Sequence, residues 1–327
     1  MKQPTLKKTM LGAASLVGLS LGVLFCPASQ AQVNVTRLIV PFPPGGGTDV
    51  LARVLSRRIE ADLGETVIVE NKPGAGGNIA HDFVAAAPAD GKTLLFTTNS
   101  LVINPLIYNN VKFNALKSYA PVIALAHSPV LLLTRPGAPF STLPEMLAYA
   151  KANPGKVSYS SCGNGGIHHL AAEQLKAVAG VSMLHIPYKG CGPAVTDLAG
   201  GQVDVSANSL TAVSSFLASG KVKALAITNS EKSGLVPAVP TVASFGIKGY
   251  SFDGWYAVLA PAGTPEAVIQ RLNASMNKAL TNDEVKKTLL TGSLEPLGGP
   301  PSALTALMTK EIDMSAPIVK SARITGD

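Results

Sequence analysis

Two glycine-rich segments have the composition of an anion-binding turn. Residues 41–49 place three consecutive glycines before Thr48 and Asp49, and residues 160–169 combine hydroxyls, glycines and two histidines. Glycines let backbone N–H groups approach a ligand, and a helix that follows directly presents its positive end to an anion. An ordinary strand-to-helix turn has the same composition, and this alternative stays open. Neither segment has the GK[ST] ending of a P-loop or the GxGxxG spacing, so nucleotide binding is excluded.

The histidines and serines of the second segment admit a catalytic alternative. His168 and His169 are adjacent, so on a helix they point about 100° apart and only one can face a given ligand. Ser160 or Ser161 with His169 and Asp204 would have the residue types of a Ser-His-Asp triad. The sequence contains no GxSxG elbow, so a secreted serine hydrolase is the weaker hypothesis.

These turns lie between alternating predicted strands and helices. Leu51, Leu55, Ile59 and Leu63 form an apolar stripe that ends at Gly64, which predicts an amphipathic helix. The other predicted helices are 142–152, 166–179, 193–198, 265–280 and 301–314. The predicted strands are 36–42, 66–70, 94–98, 130–134, 157–161, 183–188, 203–208, 224–228 and 255–260. Strict alternation of this kind predicts an α/β fold with parallel sheets, in which polar residues just past the strand ends, such as 97–100 and 187–192, bind ligands.

Length and composition indicate a globular protein of two domains. The 327 residues are 46% apolar and 14% charged, which excludes disordered and collagen-like chains. No long linker is present, so two short crossings are expected, with 119–133 as one and 249–261 as the return. The predicted first lobe is therefore discontinuous, 32–125 plus 252–327, and the second is 126–251. Rotation between them is expected at 124–129 and 249–254.

The N-terminal 31 residues resemble a secretory signal. Three lysines precede an uncharged run from Met10 to Cys26, and Ser29-Gln30-Ala31 has small residues where signal peptidase cuts. A membrane anchor is the alternative, but the glycines in the run and the adjacent Pro27 favour cleavage after Ala31 and a soluble, exported mature protein. Cleavage leaves 24 basic against 20 acidic side chains, which lowers the net charge from +7 to +4. No basic cluster with interleaved aromatics is present, so nucleic-acid binding is not expected.

Cys162 and Cys191 are the two cysteines that remain after cleavage. Each comes just past a predicted strand, and consecutive strands of a βαβ unit often lie side by side. In an oxidising compartment this arrangement predicts a disulfide, although two unrelated cysteines remain an alternative. There is no CxxC or HExxH pattern, so no metal site is expected.

Seven short motifs in order give the chain a resemblance to a known family. They are 41–49, 70–77, 89–94, 186–190, 200–204, 239–242 and 260–265. Together they resemble the Bug family, the extracytoplasmic solute receptors of the tripartite tricarboxylate transporter type. The similarity covers essentially the whole mature chain.

The resemblance implies a two-lobed type II periplasmic binding protein without catalysis, cofactor or metal. It implies a monomer that closes on a small carboxylate, which could be an amino-dicarboxylate, a di- or tricarboxylate or an aromatic acid, and delivers it to integral-membrane transporter subunits. A sensor that signals to a membrane kinase would share the fold. His169 matches the family's histidine position, whereas Cys162 and Cys191 replace small or hydroxyl residues. The expected ligand-binding residues are Gly46, Gly47, Thr48, Thr98, Ser100, Ser160, Ser161, Asn164, His169, Tyr188, Asp204 and Asn208.

No arginine clamp is expected, because the candidate turns contain no arginine and the nearest cations, Lys72 and Lys189, read as solvated. The carboxylate would then be held by backbone N–H groups of 46–48, by hydroxyls and by His169.

Overall fold

The computed structural model describes residues 34–326, so the predicted signal segment lies outside the described residues. Within 34–326 the chain forms ten strands and ten α-helices. The strands are β1 (Val35–Val40), β2 (Thr66–Asn71), β3 (Thr93–Thr98), β4 (Tyr119–Thr134), β5 (Ser158–Ser161), β6 (Leu184–Pro187), β7 (Val205–Ser209), β8 (Lys223–Ile227), β9 (Asp253–Pro261) and β10 (Glu295–Pro296). The helices are α1 (Gly47–Leu63), α2 (Asn78–Ala85), α3 (Ser100–Ile107), α4 (Leu143–Ala152), α5 (Ile167–Ala179), α6 (Cys191–Ala199), α7 (Leu210–Ala218), α8 (Glu266–Leu280), α9 (Asp283–Thr291) and α10 (Pro301–Ala322).

Strand β4 joins two groups of strands into one sheet. The order along the sheet is β2-β1-β3-β9-β4-β7-β5-β6, and both β8 and β10 also pair with β4. The N-terminal part of β4 pairs with β9 and β10, while its C-terminal part pairs with β7 and β8. β4 (Tyr119–Thr134) spans the predicted crossing at 119–133, and β9 (Asp253–Pro261) lies within the predicted return at 249–261.

Pairing within the sheet is mixed rather than parallel throughout. β1 runs parallel to β2 and β3, and β5 runs parallel to β6 and β7, as strand-helix alternation predicts. Every pair that includes β4 or β9 is antiparallel. β4 and β9 run antiparallel to each other where they pass between the two groups of strands. A neighbouring strand therefore cannot be parallel to both of them.

The core explains why β4 is so long. Its residues alternate between apolar clusters on both faces of the sheet, and Val122, Ile123 and Leu131 are fully buried. Because most positions of β4 are buried, its sequence is predominantly apolar rather than alternating, with His127 and Ser128 as a polar interruption. Trp255 on β9 is 1% exposed and joins the largest of these clusters.

The sequence missed several helices that flank the strands. No helix was expected over α3, α7 or α9, and α10 continues eight residues past the predicted end at 314, to Ala322. Pro317 lies inside α10, but Ile318 and Val319 are buried against the core, and this packing outweighs the backbone hydrogen bond that proline cannot make. None of the helices within 34–326 is long and apolar enough to cross a membrane.

Candidate functional site

A cavity of about 440 Å³ lies at the carboxyl ends of β3, β5 and β7. No Lys, Arg, Asp or Glu is found among the described residues that line it. Its apolar wall includes Phe42, Ile103, Ile107, Val130, Trp255 and Tyr256. Its polar groups include Thr98, Ser100, Asn104, Ser128, His168 and Ser209. The cavity therefore combines a largely apolar surface with several hydroxyls and no formal charge.

Three helices begin at the wall of this cavity. Helix α3 starts at Ser100, α5 starts after Gly166, and α7 starts after Ser209, and all three of these residues line the cavity. The N-cap of α5 is glycine, so its first-turn N–H groups have no side-chain cap. The N-terminal ends of helices carry partial positive charge. The cavity is thus electropositive through backbone dipoles alone and favours an anion.

The loop between β5 and α5 is held in an unusual backbone conformation. Gly165 has φ +71°, and a Cβ at this position would lie 2.5 Å from Ile107 Cδ1. Its N–H donates to His169 Nδ1 at 3.0 Å, while Asn164 Nδ2 donates to the Thr325 carbonyl at 2.7 Å. Glycine is required at 165 because the conformation is left-handed and the backbone packs directly against α3.

A buried polar cluster supports the opposite wall. Asn99 Nδ2 donates to the Asp253 carbonyl at 2.9 Å and to Glu311 Oε1 at 2.7 Å, and its Oδ1 accepts the Trp255 N–H at 2.8 Å. The Trp255 indole N–H also donates to the Glu311 carboxyl group. Burial raises the pKa of Glu311 to about 8 although these hydrogen bonds oppose the rise, and the Asp253 charge raises it further. Burial likewise raises the pKa of Asp253 to about 6.

Ser128 contributes a hydroxyl that the protein itself does not use. The residue is 6% exposed, it lines the cavity, and its Oγ has no hydrogen-bond partner among the described residues. A buried hydroxyl without a partner is costly, and Ser128 belongs to the cavity lining, so its Oγ is a candidate contact for a ligand.

Three of the twelve predicted ligand-binding residues line the cavity: Thr98, Ser100 and Asn164. The first glycine-rich turn does not, because Gly46, Gly47 and Thr48 lie outside its lining, although Phe42 at the start of the turn belongs to it. Asp49 is buried and accepts the Gly45 N–H at 3.0 Å, so it shapes this turn. The N-cap of α1 is Gly46 rather than Thr48 or Asp49.

His169, an expected ligand-binding residue, is not among the residues that line the cavity. It is 5% exposed and stacks on His185 with ring centroids 3.8 Å apart, while its Nδ1 accepts from Gly165. His168 lines the cavity in its place. Burial lowers the pKa of His168 to about 4, so its ring is neutral near pH 7. The apolar packing of α5 selects which of the two adjacent side chains turns inward.

Ser160 and Ser161 are also turned into the protein. Both are fully buried, and Ser160 Oγ lies 3.5 Å from the Ala194 carbonyl. Ser161 Oγ donates to the Gly163 carbonyl at 3.0 Å and lies 2.8 Å from His185 Nε2. The imidazole beside this hydroxyl is that of His185, not that of His169, and Ser161 is fully buried. The residues of the hypothetical triad are therefore not arranged around an exposed serine.

The last three predicted residues have structural roles. Tyr188 donates to Asp197 Oδ2 at 2.6 Å. Asp204 lies at the start of β7, the end remote from the cavity, where its carboxylate accepts the Ser158 N–H at 3.0 Å and pairs with Arg135 at 3.3 Å. Asn208 Nδ2 donates to the Cys191 carbonyl at 3.1 Å. Asp204 therefore connects the start of β7 to Ser158 and Arg135. Because these contacts occupy its carboxylate, Asp204 does not serve as the acid of the hypothetical triad.

The predicted disulfide is present between Cys162 and Cys191. The strands that precede them, β5 and β6, are paired in parallel register, as the prediction required. His168 also lies close to both sulfurs: one ligand atom from each of the three residues lies within 4.8 Å of the others. Among the described residues, this is the group whose ligand atoms could hold a metal. Cys162 and His168 both lie in segment 160–169, but Cys191 follows a different strand, so no local sequence pattern joins all three.

Several site residues could not be found from the sequence. Asn104 lies within α3 and Ser209 caps α7, and neither helix was predicted, whereas Asn99 belongs to the polar segment 97–100 that was expected to bind ligands. Ser128 and Trp255 lie within β4 and β9, where only the crossing of the strands brings them to the cavity.

Comparison with known proteins agrees with this architecture. The model of the tripartite tricarboxylate transporter family receptor matches residues 51–324. The chain belongs to this family. It is 37% identical to the protein BugT of Bordetella pertussis over 87% of this chain and 88% of that one. It is also 37% identical to a UPF0065 protein in the tcbD-tcbE intergenic region of Pseudomonas sp. strain P51, over 88% of this chain and 86% of that one.

Solved members of the family have the same fold. The periplasmic binding protein BugD is 34% identical with a TM-score of 0.72, over 89% of this chain and 98% of that one. A Rhodopseudomonas palustris protein solved with adipate is 32% identical with a TM-score of 0.75, over 89% and 97% of the two chains. MatC from the same organism, solved with malate, is 31% identical with a TM-score of 0.71, over 87% and 99%. The chain is therefore a solute-binding receptor with a periplasmic binding protein fold.

Proposed function

We propose that this protein is a monomeric periplasmic receptor that binds a small carboxylate and delivers it to a membrane transporter of the tripartite tricarboxylate type. The observation that carries this proposal is the uncharged cavity at which three helices begin. Backbone N–H groups and hydroxyls there can bind a carboxylate without a cationic side chain. The ligands in the related structures, adipate and malate, are carboxylates of small size. The signal segment would direct export and be cleaved after Ala31.

The cavity lining narrows the ligand class. Apolar side chains such as Ile103, Ile107 and Val130 would contact the body of the ligand, while Ser100 and Ser128 would donate to a carboxylate. A citrate-like ligand would leave its additional charges against apolar surface, which is costly. We therefore favour a carboxylate with an aliphatic or aromatic body over a polyhydroxy acid or a tricarboxylate.

The strand groups on either side of the β4–β9 crossing would be the two lobes, 32–125 plus 252–327 and 126–251. In this proposal, the backbone N–H groups of Gly46, Gly47 and Thr48 donate to the ligand when the lobes close. They stand at the exposed N-terminus of α1, beside Phe42 of the cavity wall.

Calorimetry of the mature protein tests the proposal with benzoate, adipate, citrate and the uncharged analogue benzamide. We expect benzoate or adipate to bind and benzamide not to bind. Ser128→Ala should weaken the binding about tenfold to a hundredfold, since a hydrogen bond to a charged group contributes about 1.5 to 3 kcal/mol. Ser275→Ala is the matched control, because Ser275 on α8 is also buried with an unpartnered Oγ but does not line the cavity.

Binding of benzamide as tightly as benzoate, or equal losses of affinity from both serine variants, would contradict the proposed site.

A serine hydrolase is not supported, because Ser161 is buried and Asp204 pairs with Arg135. A sensor that signals to a membrane kinase would bind the same ligand. Affinity capture of membrane partners separates it from a transport receptor.

A further inference from the structure

The two cysteines and His168 form a compact group at the edge of the cavity. Cys191 Sγ lies 4.0 Å from His168 Nε2, and one ligand atom from each of the three residues lies within 4.8 Å of the others. Cys162 and His168 also line the cavity. While the sulfurs are bonded to each other they are poor metal ligands, because it is the thiolate that binds metal.

The backbone would keep the cysteines together without the disulfide. The Gly190 N–H donates to the Cys162 carbonyl at 3.1 Å, and the Tyr188 N–H donates to the Ser161 carbonyl at 3.1 Å. Asn208 Nδ2 fixes the Cys191 carbonyl at 3.1 Å. Reduction therefore leaves both thiols in the same neighbourhood, next to His168.

Two thiolates and an imidazole are a ligand set suited to zinc. Tetrahedral coordination with Zn–S bonds of about 2.3 Å and Zn–N bonds of about 2.1 Å places ligand atoms roughly 3.6 to 3.8 Å apart. The 4.0 Å between Cys191 Sγ and His168 Nε2 is close to this value. The sulfurs must separate from bonded distance, and Gly163 and Gly192, each adjacent to one of the cysteines, give the chain freedom to do so.

We propose that the reduced protein binds one Zn²⁺ ion through Cys162 Sγ, Cys191 Sγ and the His168 ring, so that the disulfide and the metal site are alternative states of the same three residues. A dithiol reductant supplies two electrons and two protons to the disulfide and is itself oxidised to a disulfide. Each cysteine thiol then releases its proton when its sulfur binds the metal. The fourth coordination position faces the cavity and is taken by water or by an oxygen of a bound solute.

Metal titration of the mature protein tests this site, with Co²⁺ as an optical probe and Zn²⁺ measured by competition with a chromophoric chelator. The fully reduced protein should take up one equivalent and show thiolate-to-cobalt absorption, and the oxidised protein should show neither. His168→Ala and His168→Asn should each weaken Zn²⁺ binding to the reduced protein at least about tenfold. His127→Ala is the matched control, because His127 pairs with Glu295 and does not line this cavity.

Circular dichroism establishes that each variant is folded, and disulfide formation on reoxidation adds a second check for the histidine variants. The proposal is overturned if the reduced protein binds Zn²⁺ no better than Cys162→Ser/Cys191→Ser, or if both His168 variants bind as tightly as His127→Ala. Carboxylate binding is measured on the oxidised protein. Its result therefore tests the proposed receptor function separately from the metal site.

Discussion

Side chains around the cavity are positioned by neutral hydrogen bonds rather than by ion pairs. Asn99 donates to Asp253 and Glu311 and accepts from Trp255, and Ser161 connects Gly163 to His185. Among these residues, Glu311 of α10 is an acidic side chain that is buried and accepts a hydrogen bond from the Trp255 indole. Its burial makes stability depend on its protonation.

Replacement of Glu311 by glutamine should change the pH dependence of stability. The folded-state pKa of Glu311 is about 8, above its ordinary value of 4.5, so between these values the folded protein holds a proton that the unfolded chain releases. The stability of the wild type should therefore fall as pH rises through this range. Glu311→Gln does not titrate, and relative to the wild type it should gain on the order of 2 kcal/mol between pH 5 and pH 8.

Urea denaturation of both proteins at the two pH values measures this difference. Asp253, with a pKa of about 6, titrates in both proteins and largely cancels in the comparison. An unchanged difference in stability between the variant and the wild type from pH 5 to pH 8 would show that Glu311 is ionised in the folded state throughout this range.

At the scale of elements, the loop between β5 and α5 is constrained at Gly165. Gly165→Ala should destabilise the protein by about 1 to 3 kcal/mol, for two reasons. Alanine is strained in the left-handed backbone conformation at this position, and its Cβ would clash with the Ile107 side chain. Gly180→Ala is the matched control: it has φ +62° but no heavy atom within 4 Å of the added Cβ. The loss of stability from Gly180→Ala should be smaller, because this substitution adds backbone strain but no clash.

Denaturant unfolding measures both losses, and a second variant isolates the contact. Ile107→Val removes Cδ1, the atom nearest to the new Cβ, so the Gly165→Ala substitution should cost less in that background. Equal losses at 165 and 180 would mean that α3 yields to the new methyl group.

The disulfide connects the end of β5 to the start of α6, 29 residues along the chain. Cys162→Ser/Cys191→Ser should lose about 3 to 4 kcal/mol of unfolding free energy, since an open chain gains conformational freedom when it unfolds. Chemical denaturation with and without reductant measures the loss: the wild type should respond to reductant, and the double variant should not. Two alkylatable thiols in the aerobically exported protein would show that the bond does not form.

At the scale of the whole molecule, the crossing of β4 and β9 is where we expect the lobes to rotate. Ser128 pairs with Gly254 and Pro129 with Asp253 at this point, and Ser128 and Gly254 both line the cavity. Because a ligand contacts both sides only when the cleft closes, the bound protein should have a smaller radius of gyration. X-ray scattering with and without a bound carboxylate measures it, with benzamide as the control. An unchanged profile at saturation would indicate a rigid site.

Sequence patterns alone were enough to predict α1 and α5, most of the strands and the continuous extended segment at 119–133, but not α3 or α7, which begin at the cavity. The positions of Cys162 and Cys191 after consecutive predicted strands predicted their disulfide. These features follow from local spacing, which a linear pattern records directly.

Only the tertiary structure decided which side chains meet in the cavity. His168 rather than His169 turns inward because of how α5 packs, Ser161 is buried against His185, and Asp204 lies at the remote end of β7. Ser128 reaches the cavity through the pairing of β4 with β9, which joins segments more than a hundred residues apart. Burial and direction of side chains depend on such distant contacts, so no local pattern in the sequence could have specified them.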